Sequence, residues 1–164
     1  MKKMRGLFFL SALLILIGNT SAEELSPLAA GQSAFNAGNY SLSFSLWSTL
    51  ATQGNAEAQV FVGLSYDNGW GTDRSARLAR VWYKKAANNN NTSGQYLLGL
   101  QYIQGTSAER AKGLMWLQRA ADNGDVAARQ FIQKGKKRGW FKGIPPVVKP
   151  AKEKSAPQTI ALAQ

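Results

Sequence analysis

Residues 54–87 read GNAEAQVFVGLSYDNGWGTDRSARLARVWYKKAA, and residues 90–121 read NNTSGQYLLGLQYIQGTSAERAKGLMWLQRAA. Set one above the other, they pair Gly63 with Gly99, Tyr66 with Tyr102 and Gly69 with Gly105, each 36 residues apart. Trp82 then pairs with Trp116, and Ala86-Ala87 with Ala120-Ala121, each 34 apart. The two-residue shortening falls between Gly105 and Trp116, at a turn, where repeats tolerate deletion. A third copy starts at Asn123-Gly124-Asp125, with Ala128 in the place of Ala58 and Gly94. Upstream, Trp47 and Ala51 stand 35 residues before Trp82 and Ala86. A fixed period of about 20 to 50 residues marks a repeat architecture, in which no unit folds alone.

Each unit reads as two helices joined by a short turn. In the first helix Val60, Phe61, Val62, Leu64 and Tyr66 leave little polar surface, as expected of a helix packed on more than one side. Gly69-Trp70-Gly71 ends it, since glycine enters the left-handed conformation that closes a helix C-terminus. The second helix sets Leu78, Val81, Trp82 and Ala86 on one stripe and turns Arg77, Arg80, Lys84 and Lys85 outward. Asn88 to Asn91 form a polar break, after which Thr92 or Ser93 is placed to cap the next helix. The first hairpin starts with Ser26 as cap and Pro27 at the first helical position, and turns at Gly38-Asn39. A single hairpin cannot bury its apolar face, so the pairs must stack. The expected fold is all-α: a short right-handed α-solenoid of three antiparallel helix pairs and a terminal helix, forming one domain over residues 23–138.

The run from Gly54 to Ala87 resembles the Sel1-like repeat, a relative of the tetratricopeptide repeat. The resemblance is carried by Gly54-Asn55-Ala56-Glu57-Ala58-Gln59, Val62-Gly63, Tyr66, Gly69, Gly71, Ala79, Trp82-Tyr83, Lys85 and Ala86-Ala87. The second unit matches more loosely, lacking the second turn glycine and the tyrosine after Trp116. The hairpin from Gly31 to Gln53 looks more like a tetratricopeptide hairpin, with Ala34, Phe35, Gly38, Tyr40 and Trp47. The resemblance covers residues 27 to 134. It implies a scaffold that holds a peptide or a partner protein on its concave face, and it does not imply a reaction.

The repeated Gly, Ala and Trp residues are read as packing: Gly63 and Gly99 let helices approach, and Trp47, Trp82 and Trp116 fill gaps. Partner binding falls instead on first-helix positions that face the groove. By analogy with tetratricopeptide grooves, these are Glu57, Val60, Leu64 and Asp67 in one unit, Ser93, Tyr96, Leu100 and Gln104 in the next, and Gln130 and Lys134 in the last. Such a surface, apolar at its centre with polar ends, suits a short amphipathic or extended peptide. Trp70, between two glycines, is a further candidate: exposed it would serve as a hot spot, and packed it would lie on the neighbouring repeat.

The two ends of the chain are of another kind. Lys2, Lys3 and Arg5 precede an uncharged apolar run from Leu7 to Ile17, followed by Thr20-Ser21-Ala22. That is the pattern of a signal peptide cleaved after Ala22, and it places the mature chain in the periplasm or outside the cell. At the other end, residues 139–164 contain Gly143 and four prolines and are expected to form a disordered basic tail. The formal charge of +11 on 164 residues divides into +3 before Glu23, +1 from Glu23 to Gln133, and +7 from Lys134 onward. A near-neutral body and an export signal withdraw nucleic acid as a partner. The basic end instead suits an anionic membrane or envelope polymer, contacted through Lys136, Lys137, Arg138, Trp140, Phe141 and Lys142. The bland counterpart is that its aromatics cover the exposed end of the last repeat.

No histidine and no cysteine occur anywhere in the chain, which removes imidazole bases, thiol nucleophiles, disulfides and the common zinc sites. No cofactor is expected. The expected function is that of an exported, non-enzymatic adaptor. The alternative is an envelope hydrolase acting on peptidoglycan or β-lactams, by analogy with cysteine-rich relatives, but the chain lacks both cysteine and a Ser-x-x-Lys motif.

Overall fold

A computed structural model describes residues 26–144; the expected signal segment and the tail from Pro145 onward lie outside the described residues. Seven helices follow one another: α1 (Pro27–Asn36), α2 (Tyr40–Thr52), α3 (Ala56–Asn68), α4 (Ala76–Asn88), α5 (Thr92–Ile103), α6 (Ser107–Asp122) and α7 (Val126–Lys137). Each packs chiefly on its neighbours in sequence, and contact also joins α3 to α5, as an α-solenoid of antiparallel pairs requires. The three expected hairpins are α1–α2, α3–α4 and α5–α6, with α7 as the terminal helix.

A recurring three-residue device makes the turns between pairs. At the end of α2, α4 and α6 the chain enters the left-handed region at Gly54, Asn90 and Gly124. The following residue, Asn55, Asn91 or Asp125, sends its backbone N–H back to a carbonyl five residues earlier. Its side chain then caps the next helix by accepting a bond from Ala58, Gly94 or Ala128. The cap of α5 is therefore Asn91, and Thr92 is already helical. All seven helices are capped by Ser, Thr, Asn or Asp side chains, each contributing about 1 kcal/mol. Buried amides stitch the units together. Gln59 donates to the Ala51 carbonyl and Gln95 to that of Ala87, while Asn89 and Asn123 donate to the side-chain oxygens of Gln59 and Gln95.

Close packing within pairs rests on glycines. A Cβ on Gly63 would lie 2.6 Å from Tyr83 Cδ1, and one on Gly99 would lie 2.7 Å from Leu117 Cγ; Gly31 is met in the same way by Trp47. Tyr83, wholly buried, takes the core position in α4, whereas Val81 is 42% exposed. Of the expected stripe of Leu78, Val81, Trp82 and Ala86, only Val81 turns outward: Ala86 is buried, Trp82 packs on the Trp47 cluster, and Tyr83 fills the space that Gly63 leaves open. The core follows these contacts in three clusters, centred on Trp47 and Val62, on Tyr83 and Leu98, and on Leu117 and Ile132.

The folded part extends past the expected boundary at Arg138. Gly139, with a left-handed φ of 70°, closes α7. The N–H of Gly139 bonds to the Lys136 carbonyl and that of Trp140 to Gly135, the paired bonds of a Schellman cap. Phe141 lies where a Gly135 side chain would be, Trp140 and Phe141 both contact Phe131, and Arg110 donates to the Trp140 carbonyl. Residues 139–144 are consequently a hook covering the end of the stack rather than part of a disordered tail, because the open face of α7 offers apolar surface that these aromatics bury.

Candidate partner-binding groove

Two grooves open between successive first helices. The larger, a cleft of about 490 Å³, is lined by the C-terminal end of α3 (Asp67, Asn68), Arg74 in the turn before α4, the start of α4 (Ala76, Arg80), one face of α5 (Leu97, Leu100, Gln101) and the turn after it (Gln104, Gly105). The smaller, about 420 Å³, lies between α1 and α3 and is lined by Leu28, Gln32, Asn36, Glu57 and Phe61 among others. In both, aliphatic or aromatic carbon meets amide and charged rims, the composition of a surface that orients a peptide by a few polar contacts.

Asp67 organises the larger cleft from below. Its carboxylate accepts from the Tyr83 hydroxyl at 2.8 Å and from Gln101 Nε2 at 2.8 and 3.0 Å, while Arg74 Nε donates to its backbone carbonyl at 2.7 Å. One side chain therefore ties α3, α4 and α5 together. Burial, and then the adjoining Asp67 carboxylate, push the Tyr83 phenol far above its ordinary pKa. Nearby, Arg80 stacks over the Tyr102 ring and reaches Glu109 at 3.3 Å. Glu109 also closes a capping box with Thr106. The backbone and hydroxyl bonds from Thr106, assisted by Arg80, hold its carboxyl below the ordinary value of 4.5.

The predicted site residues divide. Leu100, Gln104 and Asp67 meet in the larger cleft, and Glu57 lines the smaller groove. Asp67, however, is occupied by Tyr83 and Gln101 and serves as a junction rather than a free contact. Val60 is a correction: it is 6% exposed, and the groove position belongs to the next residue, Phe61. Leu97 likewise replaces Tyr96, which packs against the Leu117 cluster. The displacement is one step in helical register, since 100° of rotation carries a side chain from a groove to a core. Leu64 packs partly buried against Tyr83 and Leu98, and Ser93, Gln130 and Lys134 are exposed but line neither groove. Of the two readings of Trp70 the packed one holds, since its ring meets Phe35 edge-on at 4.9 Å and stacks with Tyr40 at 6.3 Å. It joins the second hairpin to the first. Sequence reasoning passed over Arg74, Arg80 and Gln101. Arg74 sits in an irregular turn outside the repeat pattern, while Gln101 occupies the interface-facing position that buried Ser65 holds one unit earlier.

No helix among the described residues is long and apolar enough to cross a membrane, and no group of three His, Cys, Asp or Glu side chains gathers there.

The Sel1 repeat family matches residues 56–91 and 92–125, the α3–α4 and α5–α6 units with their connections. A Sel1 repeat protein from Oxalobacter formigenes is similar in structure, with a TM-score of 0.61 and 27% identity, over 69% of this chain and 46% of that one. A protective antigen of uropathogenic Escherichia coli displaying an SLR fold gives a TM-score of 0.56 and 28% identity, over 62% of this chain and 25% of that one. This chain thus spans less than half the length of either solved protein. No curated protein matches it. Two segments of the chain match the Sel1 repeat, and its fold is that of a Sel1-like-repeat α-solenoid.

Proposed function

We propose that the chain is an exported adaptor that holds an extended segment of a partner protein in the α3–α4–α5 cleft. The observation that carries this reading is the lining itself. Leu97 and Leu100 supply an apolar floor between helices, while the exposed Arg74 and Gln104 lie along its rim. Backbone amides of an extended segment can pair with such rim groups while its side chains cover the leucines. The lack of histidine and cysteine favours holding over chemistry.

A photo-crosslinking residue at exposed Gln104 should capture a defined partner in cells, and one at Val81, exposed in the middle of α4, should not. Changing Leu97 and Leu100 together to Ala should abolish capture, with helical circular dichroism recorded beside it because both also pack against the core. Equal capture from both positions, or capture indifferent to the leucines, would refute the groove. Export is tested separately: fractionation should recover a chain beginning at Glu23 outside the cytoplasm.

A second reading, contact of the C-terminal end with an anionic membrane or envelope polymer, is favoured by one observation. Lys134, Lys136, Lys137, Arg138 and Lys142 are exposed, and none of them pairs with a carboxylate among the described residues.

A further inference from the structure

We propose that the end of α7 and its hook form a preformed docking surface for an anionic lipid bilayer. The proposal deepens the second reading above and rests on it. A flexible basic tail would present its charges in no fixed arrangement, whereas the hook is held at four points. The Schellman bonds close the helix, Phe141 fills the space at Gly135, Phe131 supports both aromatic rings, and Arg110 from α6 clasps the Trp140 carbonyl.

What this lock presents is specific in character. Helical spacing brings Lys134, Lys137 and Arg138 within roughly 100° of arc, and the hook adds Lys142 beside Gly139. The span from Val126 to Ile144 contains no acidic residue. The acidic side chain beside Arg110, Glu109, is already engaged by Thr106 and Arg80. Trp140 is 37% exposed, with the Arg138 guanidinium 5.6 Å from its ring centroid. An indole more than a third exposed, with a guanidinium over its ring, has the polarity of the headgroup layer, where aromatic rings lie beneath phosphates. Phe141 is spent in the lock, so Trp140 is the side chain left to enter the interface. Lysines dominate the cluster. As compact point charges they favour a diffuse anionic surface, where arginine forks would suit the fixed bidentate geometry of a nucleic acid or a defined phosphate ligand.

The test is co-sedimentation of the full chain with vesicles of phosphatidylcholine containing phosphatidylglycerol, against pure phosphatidylcholine. The apolar run from Leu7 to Ile17 and its cations Lys2, Lys3 and Arg5 are common to every variant, so the comparison between variants reads the C-terminal end. Each cation at an anionic surface is worth about fivefold in binding. Lys134→Gln/Lys137→Gln/Lys142→Gln should therefore weaken the anionic-specific part about a hundredfold. Lys149→Gln/Lys152→Gln/Lys154→Gln should weaken it far less. Trp140→Phe should remove the blue shift of indole fluorescence that accompanies binding. If the second triple variant loses binding and the first does not, the docking surface is overturned while the anionic reading stands. If the unaltered chain shows neither an anionic excess on vesicles nor retention on soluble polyphosphate, both fall. Retention on soluble polyphosphate without vesicle binding would replace the bilayer with a polyanion and overturn the proposal.

Discussion

Replacing Gly63 with alanine adds one methyl group to the middle of α3, and helix propensity alone would make the change stabilising by about 1 kcal/mol. The surroundings reverse the sign. The new Cβ would fall on the edge of the Tyr83 ring, 2.6 Å from Cδ1 and 3.2 Å from Cζ, where ordinary carbon contacts lie near 3.4 to 4 Å. The ring has nowhere to retreat, because Tyr83 is fully buried and its hydroxyl is anchored on Asp67. Overpacking costs about 1–3 kcal/mol, and an immobile aromatic places this case at the upper end. After the propensity gain, a net loss of about 2 kcal/mol remains, or roughly 6–8 °C in Tm for a domain of this size. Urea denaturation followed by circular dichroism reads it directly as a lower midpoint. The same substitution in a Tyr83→Ala background should be neutral or stabilising, since the ring is gone. A Gly63→Ala variant as stable as the parent would show that Tyr83 is not pinned and refute the account of the pair.

Four further outcomes follow from the contacts described. Asp67→Ala strands the buried Tyr83 hydroxyl and should cost about 1–3 kcal/mol, whereas adding Tyr83→Phe should recover much of that loss in the same denaturation assay. Because the folded Tyr83 pKa is raised, its contribution to stability is present below pH 10 and is lost as pH climbs above it. Ultraviolet titration should accordingly show one of the five tyrosines ionising only as the chain unfolds. Glu109 behaves in the opposite sense: its lowered pKa stabilises the fold above pH 4.5 and that contribution disappears as the group protonates below it, so Glu109→Gln should flatten the acid limb of the stability profile. Trp70→Ala removes two aromatic contacts worth about 0.5–1.5 kcal/mol each, and hydrogen exchange should locate the loosening in α1 and α2.

The fold was readable in the sequence because its determinants repeat. Gly54-Asn55, Asn90-Asn91 and Gly124-Asp125 mark each new first helix, 36 and then 34 residues apart, so the two-residue deletion between Gly105 and Trp116 shortens the period without erasing the signal. The C-terminal hook was legible only as an alternative, in which Trp140 and Phe141 cover the last repeat, and its geometry fell outside the pattern. Gly63 and Gly99 each stand eight residues after their cap, but Gly135 stands ten after Asp125, and its partner Phe141 belongs to no second helix. A segment rich in glycine and proline then looked disordered, although its first six residues had an unfinished repeat to complete.

The groove was legible only in outline, and the reason is geometric. A first helix in a solenoid is apolar nearly all round, as Val60, Phe61 and Val62 illustrate, so hydrophobicity does not separate the core side from the groove side. Analogy supplied a register, and one residue of error exchanged Phe61 for Val60 and Leu97 for Tyr96. What resolves the register is the polar network. Asp67 reaches down to Tyr83 and across to Gln101, which turns the one acidic group in the cleft into a structural bond. With that carboxylate committed and Glu109 holding Arg80, Arg74 is the cation left on the rim whose guanidinium no carboxylate engages. A carboxylate on the bound segment is then the complementary group, so a partner that engages this cleft should weaken on Arg74→Gln and recover with lysine at the same position only in part, since lysine restores the charge without the planar fork.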